Sequence, residues 1–206
     1  MRGDAEPKLL ETRLATKPEF FCEVIRLVYR SINEEFRKEE LNEQGKAIAT
    51  NAWRLLNKWK RPPGLQQDGS FSVQNFESWL EKVKKQCTES GHLEIAMSKV
   101  GEVLFYCPAD PQGLWIVHAT ASALNGRDAE DMRRGFRTEA YNSRGMHWID
   151  PTGAPERALA EQWRQKADEI ENAGLARFAG MLRELAESSD RQAERIVDEH
   201  KSEEEY

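Results

Sequence analysis

The side chains of this chain that could do chemistry crowd into residues 135–156, GFRTEAYNSRGMHWIDPTGAPE, where helical periodicity stops. Arg133 and Arg137 stand one helical turn apart. Asn142 and Ser143 precede Arg144, and His147, Trp148 and Asp150 follow. Converging guanidinium groups, a hydroxyl and a flat indole suit a phosphate, a carboxylate or a nucleobase, since a guanidinium fork matches oxyanions and an aromatic face stacks on a base. The same residues also make sense as structure. Asn142 with Gly145 can form a turn, Trp148 can plug a core, and Asp150 with Thr152 can fold an Asx turn ahead of a helix. Arg137 and Arg144 can then tie the loop to helix ends or to Glu139. A long loop anchored by aromatics is still the leading place for a binding site.

Other chemistries find less support. Ser143, His147 and Asp150 have the residue types of a hydrolytic triad, but no nucleophile-elbow glycines flank the serine. His118 falls on an apolar helical face, His92 follows Gly91 in a turn, and His200 lies in an acidic tail, so the histidines form no evident cluster. There is no HExxH, no pair of Glu-x-x-His repeats and no phosphate-cradling glycine loop. No catalytic residue, metal or cofactor is therefore expected. A second candidate surface combines Trp53 with Arg54, Lys58, Lys60 and Arg61. An exposed indole beside cations could stack on single-stranded nucleic acid, although a boundary tryptophan covered by a neighbouring helix is the favoured reading.

The elements that must hold these residues are helical. Ile48, Ala52, Leu55, Leu56 and Trp59 fall at the spacing of one helix face, as do Phe76, Trp79, Leu80, Val83 and Cys87. Further stripes run over about 93–106 (Ala96, Val100, Val103, Leu104) and about 114–124 (Trp115, Val117, His118, Ala121). Asp128 is placed to cap the helix that carries Ala129, Met132 and Phe136. Pro155 opens another helix, lined by Leu159, Trp163, Ala167 and Ile170. After Ala173-Gly174 comes a long final one with Leu175, Phe178, Leu182, Leu185 and Ile196. The helix from Pro18 is apolar around much of its girth (Phe20, Phe21, Val24, Ile25, Leu27, Val28) and needs cover on two sides, from downstream helices or from a partner. No segment alternates as a strand does. The expected fold is all-α, about seven to nine helices packed as antiparallel hairpins and solenoid-like toward the C-terminal end. Residues 1–61 form N-terminal helices, 62–71 a loop, and 72–154 a central bundle with an irregular stretch at 137–154. Residues 155–199 form a hairpin and 200–206 an acidic tail.

Composition narrows the classes. The chain has 206 residues, a net charge of −6 and 32% charged residues, with a pI near 5.4 and a mean hydropathy of −0.76. Net acidity disfavours generic nucleic-acid binding. Three widely spaced cysteines, Cys22, Cys87 and Cys107, read as free thiols of a reducing compartment. With no signal-peptide core and no apolar run of membrane-spanning length, a cytoplasmic protein is expected.

Trp163, Ala167, Ile170, Gly174, Ala179 and Ala186 fall near the aromatic, small, large, turn-glycine and small positions of a tetratricopeptide unit, so residues 156–198 resemble one. They depart from it at Arg183, where an aromatic is usual, and in lacking a closing proline. More loosely, Pro18 to Val24 and Phe136 to Gly145 resemble the carboxy-terminal helical region of large, poorly characterised bacterial proteins, a likeness that carries no catalytic residues. The resulting expectation is a non-enzymatic interaction or scaffold module, binding a protein partner or an upstream domain of the same larger protein. The alternatives are a nucleic-acid-contacting module and a small-molecule or phosphate site at the 135–156 loop.

Overall fold

The computed structural model describes residues 5–33, 42–145 and 150–204. Within them are nine helices: α1 (Ala5–Thr16), α2 (Pro18–Val28), α3 (Glu43–Lys58), α4 (Val73–Glu89), α5 (Leu93–Leu104), α6 (His118–Asn125), α7 (Glu130–Asn142), α8 (Ala154–Asn172) and α9 (Ala176–Glu204). The chain is all-α, with one isolated antiparallel bridge, Leu65 to Phe71, and no strand among the described residues. No described helix is long and apolar enough to cross a membrane.

The apolar α2 is covered from within the chain. It packs against α1, α3, α4 and α5, and Phe21, Cys22, Val24 and Ile25 are buried. Phe21 sits 5.3 Å from the Trp59 ring and 5.1 Å from that of Trp79, and the Trp79 indole N–H donates to the Leu14 carbonyl. The far end of α2 is stitched to the α4–α5 turn. The Ser31 hydroxyl donates to the Ser90 carbonyl, and the Ile32 N–H to the Gly91 carbonyl. His92, buried, reaches the Tyr29 carbonyl through Nε2 and the Ser90 hydroxyl through Nδ1. Since the carbonyl can only accept, Nε2 carries a proton. This histidine is a staple between two chain segments.

The core continues without a break from Leu14 to Ala186, so the 62–71 loop does not divide two cores. In its middle, α5 and α7 cross in backbone contact. In the C-terminal part, α8 and α9 form an antiparallel hairpin whose turn is set by Gly174, at φ +80°. The Gly174 N–H bonds to the Glu171 carbonyl and the Leu175 N–H to that of Ile170, the pairing of a Schellman cap, with Ile170 and Leu175 buried together. Arg183 joins α9 to Asp168 and Glu171 of α8.

Two local expectations are corrected. The helix anticipated over 114–124 begins only at His118, because the stretch before it is folded into turns by Pro108, Pro111 and Gly113. The Asp110 N–H bonds to the Leu114 carbonyl and the Val117 N–H to that of Pro108. Asp128 does not cap α7: the N-cap residue is Ala129, with no side-chain bond, and Asp128 instead accepts from Lys84 of α4.

Candidate functional site

The described residues of the 135–156 segment are not gathered at one point, and Arg137, Tyr141 and Arg144 lie along a seam between α7 and α9. Three polar rungs, each one turn apart on both helices, bridge the seam. Arg137 pairs with Glu184 at 2.7 Å, the Tyr141 hydroxyl donates to Ser188, and Arg144 donates to Gln192 at 3.0 Å. Because residue numbers rise together, α7 and α9 run parallel here. Arg144 also pairs at 3.1 Å with Glu156, whose side chain is only 1% exposed. That pair ties the end of α7 to the start of α8.

The remaining residues of this segment mostly hold the chain turn. The Ser143 hydroxyl donates to the Ala140 carbonyl, and the Asn142 carbonyl accepts from the N–H of Gly145, at φ +60°. The Asx turn is present: Asp150 accepts from the Thr152 hydroxyl at 2.6 Å and its N–H at 2.9 Å. These two bonds hold the Asp150 carboxyl below its ordinary pKa, the hydroxyl contributing most. His147 and Trp148 lie outside the described residues. Arg133 turns to the end of α6, where it donates to the carbonyls of Leu124 and Gly126 at 2.7 and 2.8 Å, the second of which also accepts from the Ala129 N–H.

Arg133 and Arg137 do share one feature with a binding site. Together with Arg177 they line a cleft of about 350 Å³ between α7 and α9, whose other walls are Glu130, Gly180, Met181 and Glu184. Two carboxylates face three guanidinium groups, and two of those groups already have partners, so the cleft offers a single net positive charge.

The Trp53 patch is divided by the fold. Trp53 is half-exposed on α3, with Arg54 and Lys58 exposed near it in sequence. Lys60 leaves them to lie 4.9 Å over the Tyr106 ring. Arg61 turns inward and donates to the Leu65 carbonyl, and its Nε is buried without a hydrogen-bond partner among the described residues.

That inward turn places Arg61 in the wall of a groove of about 690 Å³ between α1, α4 and the 62–71 loop. Sequence reasoning took residues 62–71 for a plain connection. The loop is in fact internally braced: Ser72 N–H to Gly64 carbonyl at 2.8 Å, Gln66 N–H to Ser70 carbonyl at 2.8 Å, and Gln66 side chain to Gly64 carbonyl at 3.0 Å. Gly64, at φ +92°, has no room for a Cβ, which would come within 2.8 Å of the Phe71 ring and 2.9 Å of the Ser72 carbonyl. The signal in the sequence was the Pro62-Pro63-Gly64 run with Gly69, which marks a shaped turn. With Arg61, Asp68 and Lys82 as its charged members, the groove is lined beside the Trp79 ring by six neutral hydrogen-bonding side chains, Thr12, Thr16, Gln66, Gln67, Asn75 and Ser78. Those groups match peptide N–H and C=O groups better than they match a phosphate.

Among the described residues no three histidine, cysteine or carboxylate side chains are grouped to hold a metal ion. Compared with family models, with curated proteins and with solved structures, the chain shows no match.

Proposed function

We propose that the chain is a non-enzymatic helical interaction module that binds an extended segment of a protein partner at its N-terminal layer, α1 to α4. The observation that carries this reading is the placement of exposed large apolar side chains. Of eight among the described residues, six (Leu9, Leu10, Leu27, Ile32, Ile48 and Trp53) lie between residues 9 and 53. Among the described residues after Trp53, only Val73 and Tyr141 are so exposed, and the Tyr141 hydroxyl is already bonded to Ser188. Apolar side chains concentrated in one layer mark a surface meant to be covered.

The groove supplies the complementary half of such a surface. Leu9, Thr12 and Thr16 follow one another at the spacing of a single helix face on α1, and Thr12 and Thr16 line the groove. A partner segment could set apolar side chains against Leu9 while its main chain bonds to the threonine, glutamine, asparagine and serine side chains. Protein suits this arrangement better than nucleic acid, because the net charge is −6 and the cations at residues 53–61 diverge.

The test compares capture of partner protein by the wild-type chain with capture by Leu9→Asp and Ser78→Trp, alongside Arg137→Ala. Loss of one stoichiometric partner in the first two variants, with unchanged melting temperatures and retention in the third, is the expected result. A partner indifferent to both groove substitutions, or bound nucleic acid released by moderate salt, would overturn the reading.

A further inference from the structure

The two buried cysteines that the sequence places far apart meet in the fold. Cys22 on α2 and Cys87 on α4 are separated by 65 residues, yet their sulfur atoms lie 3.5 Å apart, with the Cys87 thiol donating to Cys22. Each is 1% exposed, and both are free thiols in this structure.

We propose that Cys22 and Cys87 are an oxidisable dithiol that forms a disulfide between α2 and α4 when the chain meets a small hydroperoxide. This inference is independent of the partner-binding reading. A disulfide bond is about 2.0 Å long, so the sulfurs must close by about 1.5 Å from their present contact. The Cys22 thiol is the attacking group. Its pKa is lowered first by the bond from Cys87 and then by the Arg26 charge, with burial opposing, while the Cys87 thiol is pushed up by its bond to Cys22 and by burial. The Cys22 thiolate attacks the O–O bond, taking one oxygen to become a sulfenic acid and releasing the other as an alcohol or water. The Cys87 sulfur then displaces that oxygen, which leaves with a proton as water. Two thiols lose two electrons between them, and the peroxide gains both.

Burial shapes the behaviour of the pair. A small peroxide reaches the sulfurs only when the α2–α4 contact opens locally, so oxidation is slow compared with that of an exposed thiol. Once formed, the bond closes a loop containing α3 and the braced 62–71 turn, fixing the exposed apolar layer against α4. Cys107 takes no part: it lies against Thr120, and burial pushes its thiol up to about 12.

The experiment treats the whole native chain with hydrogen peroxide, removes the peroxide, denatures the chain, and counts thiols by maleimide labelling and intact mass. The expected result is loss of two of the three thiols and of two hydrogens in mass, with one Cys22–Cys87 linked peptide. A phosphine reductant should reverse this, and the oxidised chain should melt several degrees higher. Phe21, beside Cys22, touches both Trp59 and Trp79, so tryptophan emission should fall as the disulfide forms. Cys87→Ser should instead leave a sulfenic acid on Cys22 that a dimedone probe traps. Three surviving thiols, a linkage through Cys107, or sulfinic acid on Cys22 without a crosslink would overturn the proposal. The wild-type mass reading decides it whether or not the serine variant folds.

Discussion

Gly101 on α5 and Gly135 on α7 form a reciprocal contact, each occupying the place where the other helix's main chain passes. A Cβ on Gly101 would stand 1.9 Å from the Met132 carbonyl oxygen, and one on Gly135 would stand 1.8 Å from that of Ser98. Both obstacles are helix backbone, which cannot rotate away. The two glycines therefore set the distance at which α5 and α7 cross.

Gly101→Ala and Gly135→Ala should each lower stability by about 3 kcal/mol, the upper part of the range for overpacking, because relief requires moving a whole helix. The double variant should lose clearly less than the sum, since one displacement relieves both clashes. Urea unfolding of the three variants checks this, and full additivity would contradict the shared contact.

Arg144→Ala should destabilise the chain by about 3 kcal/mol, because it removes the Arg144 guanidinium from a Glu156 carboxylate that is 1% exposed. Arg137→Ala, by contrast, removes a pair with a well-exposed Glu184 and should cost under about 1 kcal/mol. A chemical-denaturation series separates the two. If both cost the same, the α7–α8 tie is not the role of Arg144.

Asn125 ends α6, yet its side-chain oxygen accepts from the N–H groups of Arg177 and Phe178 and so caps α9 from another part of the chain. Asn125→Ala should cost about 1 kcal/mol. Hydrogen exchange should quicken at Arg177 and Phe178, with α8 unaffected.

Alkaline pH should destabilise the fold. Burial raises the Cys107 thiol to about 12, and burial followed by the bond to Glu139 pushes the Tyr106 phenol above its ordinary range. A raised folded-state pKa contributes stability that is complete below the unfolded value, about 8.5 for a thiol and about 10 for a phenol, and that is lost as pH rises toward the folded value. Melting temperature should therefore hold to about pH 8 and fall above it. Cys107→Ser should flatten the first part of that fall.

How much could be read without the fold is best judged residue by residue. The stripe of Phe76, Trp79, Val83 and Cys87 marked a buried helix face, and all four are buried. Gly174 marked the α8–α9 turn, and the Asp150–Thr152 turn was legible because both partners lie two residues apart. Arg144 was legible only as a charged residue in an irregular stretch. Its partners include Glu156, 12 residues on, and Gln192, 48 residues on, and no local pattern selects them from the many other polar residues. Asp128 and Asn125 show the same limit: the first reads as a local cap yet pairs with Lys84, and the second caps α9 from 52 residues away.

The sequence by itself determined that this chain is a helical protein, roughly where its helices turn, and which faces they bury. Those properties follow from apolar spacing and from the backbone preferences of glycine and proline, which act over a few residues. Only the tertiary structure decided that Cys22 meets Cys87, that Gly101 and Gly135 bring two backbones together, and that Arg133, Arg137 and Arg144 brace different joints. It also decided that the Pro62–Phe71 loop walls a groove. Each of these depends on which helix faces pack together, and that choice is made by the summed burial of many side chains across the whole chain rather than by any short stretch of it.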